Sequence, residues 1–388
     1  MFLFGILAAV LLVGLALERY LHARARRRIP IRVHVNGIRG KSSVTRLIAA
    51  GLREGGIKTW AKVTGTLPNV VDEHGREIPI VRHSSPSIGE QRAIVMAAAA
   101  RGVEAVVVEC MAVQPMYQKV TEESIMQASI GVITNVRPDH LESMGTTLES
   151  IAHSLANTIP RKGVLFTTEG PMFEVLRARA AAAGTRVIQV DAGSVEDGVM
   201  DQFSYLEHKE NVALALAVCE HLGVEREVAI RGMVKCRPDP GALRLADLQQ
   251  GGKTFHFINA LAANDPQSTF QIYQQLVEGI SWQCPCLVVV NTRKDRPLRS
   301  RQMGYLMPKL AAERYYIVGD GARVAEEAAR EAGVEAHRLK VIRGQALEPL
   351  MEELMASTST EAVIFAMGNT AGLGLELGRY FGQEAAPR

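Results

Sequence analysis

"VHVNGIRGKSSVTRLIAAGL", Val33 to Leu52, decides the fold of this 388-residue chain. An extended apolar run ends at Asn36, glycines stand at 37 and 40, Lys41, Ser42 and Ser43 follow, and a helical pattern begins. That is the context a phosphate-binding loop needs. Backbone N–H groups and the helix N-terminus face the phosphates, the lysine reaches the outer oxygens, and the serine hydroxyl can hold Mg²⁺. The general form places its first glycine five residues before the second, at Val35, so the motif here is the shorter Gly37-Ile38-Arg39-Gly40-Lys41-Ser42. Taken alone, a glycine turn whose helix is capped by Ser42 would read the same.

Two further signals lie downstream. Ala105–Glu109 reads as a buried parallel strand ending in an acid. In open α/β sheets ligands bind at the carboxyl ends of strands, so Glu109 would lie beside the loop and offer Mg²⁺ a second oxygen. An acid in that position also serves simply to solvate a loop. Ile130–Asn135 is another strand, and Asp139 and His140 follow it in "ITNVRPDHLESMG". Asn135, Asp139 and His140 at one sheet edge can orient a metal and a phosphate, His140 through a neutral ring nitrogen.

After Pro30, strands and helices alternate, the pattern of a parallel sheet covered on both faces. Strands are expected at Ile31–Asn36, Ala105–Glu109, Ile130–Asn135, Gly163–Thr167 and Arg186–Val190. Helices are expected at Lys41–Arg53, Glu90–Ala100, Leu148–Asn157, Met172–Ala183 and Glu210–Leu222. A second strand series comprises Thr254–Asn259, Cys286–Asn291, Tyr315–Val318, Leu339–Ile342 and Val363–Met367. The break falls at Arg237-Pro-Asp-Pro-Gly241, where prolines interrupt helical continuity. The expected division is 1–29, 30–242 and 243–388.

The composition is that of a folded protein: 47% hydrophobic, 22% charged, with length enough for two cores. The net charge of +3 misleads, because five arginines against Glu18 give +4 within the first 30 residues and leave −1 for the rest. A neutral body with 5% aromatics excludes a basic or base-stacking nucleic-acid surface. Five scattered cysteines suit reduced thiols in a cytosolic compartment. Cys284-Pro285-Cys286 has the look of half a metal site, without a second Cys or His pair at zinc spacing.

Phe2 to Leu17 carries no charge and is followed by Glu18 and the arginines. The run sits at the short end of what crosses a bilayer as a helix. A cleaved signal peptide would place its positive charges first. The charge order puts the N-terminus outside and Arg24 onward in the cytoplasm, as a single-pass membrane segment with the catalytic domains cytoplasmic. A helix buried in a partner subunit is the competing reading.

The short phosphate loop, the strand-end Glu109 and "TNVRPDHLESMG" resemble, in order and spacing, the ATP-dependent Mur ligase superfamily. "VNGIRGKSSVTRLIAAGLREGG", "VVVECMAVQP", "ITNVRPDHLESMG" and "INALAANDPQSTF" look like its poly-γ-glutamate synthase ligases, from the apolar N-terminus to about residue 380. The resemblance implies a Mur-ligase-like ATPase domain, a smaller Rossmann-like C-terminal α/β domain, and an N-terminal membrane helix. It also implies an amide ligase using ATP and Mg²⁺, in which a carboxylate becomes an acyl phosphate and an amine then displaces phosphate.

Carried over by motif, Gly37, Gly40 and Lys41 would cradle phosphates, Ser42 and Glu109 would bind one Mg²⁺, and His140 a second. Ile38, Arg39, Ser43 and Asn135 belong to the same nucleotide wall. Asn211 in "HKENVALALA" falls where the superfamily places an asparagine near adenine, with His208 in place of that motif's other asparagine. Asn259 stands where an acid is usual at the ribose, and Asp265 is a second candidate. Leu155 occupies the position of the carbamylated lysine of many Mur enzymes.

Arginines suit an anionic polymer, because their forked donors match carboxylates. Arg293 is the first choice, followed by Arg82, His83, Arg237, Arg244 and Arg296, each equally readable as solvated surface charge. The partners implied are glutamate, growing poly-γ-glutamate and small membrane subunits, and a homo-oligomer is compatible with them. The rivals are a membrane-bound regulatory NTPase and a folylpolyglutamate-like ligase acting on a soluble acceptor.

Overall fold

The computed structural model describes residues 2–387 apart from 66, 67, 83–85, 204, 206, 239–244, 264, 280, 281, 345 and 385. His83 and Arg244 lie outside the described residues. The chain forms two compact units, residues 1–202 with 208–237, and residues 203–207 with 238–388.

The first unit holds an eight-stranded sheet. In chain order its strands are β1 Ile31–Asn36, β2 Thr59–Val63, β3 Asn69–Val71, β4 Glu77–Pro79, β5 Ala105–Glu109, β6 Ile130–Ile133, β7 Val164–Thr167 and β8 Arg186–Gln189. They lie in the order β4-β3-β2-β5-β1-β6-β7-β8. β5 is buried at every residue, which is why it reads as an unbroken apolar run and not as an alternating one. The expectation of a wholly parallel sheet is corrected at one edge, where β3 pairs antiparallel with both β2 and β4. Strands of three residues are too short to leave a periodic trace in sequence.

Helix Lys41–Glu54 runs from the phosphate loop through the unit, and Val44 to Leu52 are all buried. Gly51 permits the close approach of helix Lys209–His221, since a Cβ there would meet Cys219 Sγ at 2.7 Å. The N-terminal helix Phe2–Arg27 is continuous. Its early side chains face outward, Phe2 at 85% exposure, while its last turns dock on the same unit. His22 Nε2 hydrogen-bonds the Ile125 carbonyl at 3.0 Å, Arg26 Nη1 donates to the Ser124 carbonyl at 3.1 Å, and Arg92 pairs with Glu18.

The second unit holds seven strands, β9 Leu245–Gln250, β10 Lys253–Asn259, β11 Cys286–Thr292, β12 Arg314–Gly319, β13 Leu339–Val341, β14 Glu361–Gly368 and β15 Ala386–Pro387. Their order is β13-β12-β11-β14-β10-β9-β15. The five expected strands form the parallel centre, and antiparallel β9 and β15 close one edge. Two apolar layers cover the sheet, one around Val288, Val290 and Phe365, the other around Val289, Ile364 and Phe381. None of the five cysteines is joined in a disulfide.

Candidate active site

Strand register brings the site together. Val35 of β1 is level with Glu109 of β5, and Asn36 is level with Ile133 of β6. The loop after β1, the acid ending β5 and the Thr134–His140 segment after β6 therefore share one carboxyl edge of the first unit's sheet.

The loop has no room for side chains at its two glycines. Gly37 has φ 130°, and a Cβ there would stand 2.0 Å from Thr134 Oγ1. Gly40 has φ 81°, and a Cβ would stand 2.3 Å from Asn211 Oδ1. Gly40 is also the N-cap of helix Lys41–Glu54 and supplies no side-chain cap, so the helix N-terminus is left to face an anion. Asn135 shapes the turn: its Oδ1 accepts from the Arg39 N–H at 3.0 Å, and its Nδ2 donates to the Arg39 carbonyl at 3.2 Å. The Thr134 hydroxyl donates to that same carbonyl at 2.5 Å. Asn135, expected among the nucleotide contacts, thus has both ends of its amide engaged in holding the loop.

Lys41, Glu109 and His140 line one cleft with Asn36, Gly37 and Thr64. Lys41 Nζ donates to the loop carbonyls of Gly37 at 2.9 Å and Ile38 at 3.2 Å. Burial pulls its pKa below the usual lysine range, opposed by the Glu109 carboxylate. Ser42 Oγ donates to Glu109 Oε2 at 2.9 Å, and the Thr64 N–H donates to the same oxygen at 2.6 Å. His140 has φ 51°, in the left-handed region, and its Nε2 lies 3.9 Å from Asp139 Oδ2. Asp139 also faces Arg39, Nη2 to Oδ2 3.3 Å. A hydroxyl, a carboxylate and an imidazole beside a glycine cradle form an oxygen-and-nitrogen donor set suited to a hard divalent cation next to phosphates. The residues present fit a nucleotide and its metal.

The structure places the other sequence candidates less centrally. Ser43 is half-buried in the first turn of the helix. Asn211 lies against Gly40, and His208 is the N-cap of its helix. Leu155 is fully buried, in a cluster with Ile38, Ile133 and Met144. Arg82 is held by Glu90 through two bonds of 2.7 and 2.9 Å. Arg237 is exposed on a surface cavity lined also by Arg46, Arg53 and Lys235.

Within the second unit, Asn259 ends β10 and is buried, its Oδ1 accepting from the Leu261 N–H at 3.3 Å. Asp265 caps helix Pro266–Tyr273, accepting from the Ser268 N–H at 2.8 Å. Arg293 forms a two-pronged exposed pair with Asp295, at 2.8 and 2.7 Å, and Arg296 precedes helix Pro297–Leu306.

Sequence reasoning missed several residues. Thr64 carries no motif signature and Thr134, although it opens "TNVRPDHLESMG", was not singled out, because their roles follow from chain segments that meet only in the fold. Lys62 did leave a signal, a lysine inside the apolar strand "TWAKV". It is fully buried, 3.7 Å from Glu90, and burial lowers its pKa to about 8. His34 is buried beneath the cleft with Nδ1 2.8 Å from Glu122 Oε2. Burial alone would lower its pKa, but the Cys110 sulfur and the Glu122 carboxylate outweigh it and raise the value to about 9.

Comparison with known proteins agrees with this geometry. Residues 35–235 match the Mur ligase middle domain, and residues 245–384 match the poly-gamma-glutamate synthase CapB C-terminal domain. The fold is shared with E. coli FolC in complex with DHPP and ADP, at TM-score 0.70 and 16% identity, covering 94% of this chain and 93% of that one. It is shared too with the Yersinia pestis bifunctional folylpolyglutamate synthase/dihydrofolate synthase complexed with AMPPNP and Mn ion, at TM-score 0.68 and 16% identity, covering 94% and 92%. Fold and loop define an ATP-dependent amide ligase of the Mur ligase class.

Two curated relatives narrow the class. PGA synthase CapB of Bacillus subtilis (strain 168) is 37% identical over 376 residues, 96% of this chain and 95% of that protein. Capsule biosynthesis protein CapB of Bacillus anthracis is 36% identical over 378 residues, 96% of this chain and 80% of that protein. The chain belongs to the CapB family of poly-γ-glutamate synthases.

Proposed function

We propose that this ligase extends poly-γ-glutamate on the cytoplasmic side of a bacterial membrane, using ATP and Mg²⁺. The supporting observation is the contact of Ser42 with Glu109 at the foot of a cleft that Lys41 and His140 also line. In this reading a carboxylate oxygen of the acceptor takes the γ-phosphoryl group of ATP, releasing ADP. The amine of the incoming glutamate then attacks the acyl carbon, the C–N bond forms, and phosphate leaves with the C–O electron pair.

A bound divalent ion would supply charge neutralisation for the phosphoryl transfer. Ser42 and Glu109 would hold it, with His140 as the ligand of a second. Lys41, released from the loop carbonyls, is positioned for the phosphates. Arg39, tethered by Asp139, is the nearest forked donor to the loop and a candidate for phosphate or substrate carboxylate. Positioning and charge placement carry this chemistry, because both leaving groups are already good ones.

The apolar helix Phe2–Arg27 has a mean hydropathy of 2.1 over its best window and none of that window buried, which supports membrane attachment. Small membrane subunits that receive the polymer complete the proposal. Purified membranes given ATP, Mg²⁺ and glutamate should form a γ-linked polymer with phosphate release tied to glutamate. Phosphate release that ignores glutamate and yields no polymer would replace this reading with that of a regulatory NTPase.

A further inference from the structure

Far from the carboxyl edge of its own sheet, the second unit gathers a different chemistry. Asp247 on β9 is the direct cross-strand partner of His256 on β10. Thr254 of β10 is level with Glu361 of β14, which sets Glu361 diagonally from His256 on the same face. Cys284 approaches from the segment before β11, at the start of the same strand group. The ligating atoms of His256, Cys284 and Glu361 all lie within 4.8 Å of one another. Among the described residues, this is the one such convergence of three His, Cys, Asp or Glu side chains.

The imidazole is held between two carboxylates. His256 Nδ1 is 2.7 Å from Asp247 Oδ1, and Nε2 is 2.5 Å from Glu361 Oε1. A neutral ring has one N–H and can donate to one carboxylate only, so the second contact needs an extra proton or a cation. Trp282 packs against the ring with centroids 4.5 Å apart and planes tilted by 32°. A carboxylate on one nitrogen with the other nitrogen aimed at a ligand position is how metal-bound histidines are oriented. The thiol at the same point favours the cation over the proton, because a sulfur ligand adds nothing to a simple proton bridge.

The geometry points to a second metal site in the C-terminal unit, a zinc-class divalent ion held by His256 Nε2, Cys284 Sγ and a Glu361 oxygen, with water as fourth ligand. Bonds of about 2.0 Å to nitrogen and oxygen and about 2.3 Å to sulfur require the His256–Glu361 contact to open by roughly 1 Å. Glu361 is exposed and at the start of its strand, so it can move. Cys284 borders a surface cavity lined also by Tyr273, Trp282 and Glu313, which provides a path for the ion and its water. Binding releases the Cys284 thiol proton to solvent. The ion would tie the middle of β10 to the start of β14 and to the segment before β11, a stabilising role separate from the nucleotide site.

The test uses the full-length protein without a histidine tag, stripped of metal and titrated with Co²⁺. A thiolate-to-cobalt charge-transfer band should saturate at one equivalent, be quenched by Zn²⁺, and accompany a rise in melting temperature. Cys284→Ser should abolish the band, and Glu361→Gln should keep it while weakening cobalt affinity about tenfold. Cys110→Ser is the control, because Cys110 is the sulfur that borders the nucleotide cleft. A band that survives Cys284→Ser, that is lost in Cys110→Ser, or that never appears overturns the site. Polymer synthesis is not part of the readout, so the fate of the ligase reading is decided separately.

Discussion

Ser42 Oγ donates to Glu109 Oε2 across 2.9 Å, joining the first turn of helix Lys41–Glu54 to the end of β5, 67 positions along the chain. The same carboxylate oxygen accepts from the Thr64 N–H. Hydroxyl and acid are thus oriented before any ion arrives, which lowers the cost of assembling the metal shell. Glu109→Gln preserves the hydrogen-bonding shape and removes the charge. Its kcat should fall about 10²–10³-fold, with the Mg²⁺ needed for half-maximal rate rising about tenfold or more. A Mg²⁺ titration at saturating ATP checks this, and an unchanged Mg²⁺ dependence would remove Glu109 from the metal shell.

Lys41 hydrogen-bonds its own loop, so its loss should affect turnover far more than folding. Lys41→Met removes a charge already disfavoured by burial. Unfolding free energy should stay within about 1 kcal/mol of wild type, while ATP turnover falls on the order of 10³-fold. Paired denaturation and ADP-release measurements test both halves. An active Lys41→Met would defeat the loop assignment.

How much of this was legible beforehand follows from which signals are local. β5 and β11 were readable because burial on both faces makes a nearly unbroken apolar run. The glycine loop was readable because close approach admits no other residue at 37 and 40. β9 was not, since Leu245–Gln250 lies near the sheet edge, alternates in burial and lacks β-branched residues. The pairing of Arg293 with Asp295 was not assigned from sequence, because neighbouring opposite charges there read equally as separate solvated groups. Nor was the His34–Glu122 pair visible, because 88 residues separate its members.

His34 gives that pair a pH signature. Its pKa is raised to about 9 in the fold, against an ordinary value of 6.5. The folded state then binds more protons between these values, so this contribution is fully present below pH 6.5 and is lost as pH rises through about 9. Unfolding free energies of wild type minus His34→Gln should decline across that window. A flat difference would show that the imidazole stays neutral in the fold.

Lys62 acts with the opposite sign. Burial lowers its pKa to about 8 from 10.5, so the charged form opposes folding below pH 8 and the penalty is relieved as pH rises towards 10.5. Glu90 keeps Arg82 as partner when the lysine is removed. Lys62→Met should therefore be more stable than wild type at pH 7, and the advantage should shrink above pH 8. A variant less stable than wild type at pH 7 would mean that the Lys62–Glu90 attraction outweighs desolvation.

The N-terminal helix divides into a part that touches the first unit and a part that does not. Glu18, His22 and Arg26 make the contacts with Arg92, Ile125 and Ser124, whereas Phe2, Leu12 and Leu17 are exposed. The uncharged run Phe2–Leu17 is about 24 Å long at 1.5 Å per residue, short of the roughly 30 Å hydrocarbon layer. Local thinning of the bilayer and the flanking arginines can absorb that mismatch. Deleting residues 2–17 removes none of these docking contacts, so the melting temperature in detergent should match that of the full chain. Full-length protein should float with liposomes at high salt, where arginine–headgroup attraction is screened, and the deletion variant should stay in the soluble fraction. Flotation of the deletion variant under those conditions would move the membrane attachment to another part of the chain.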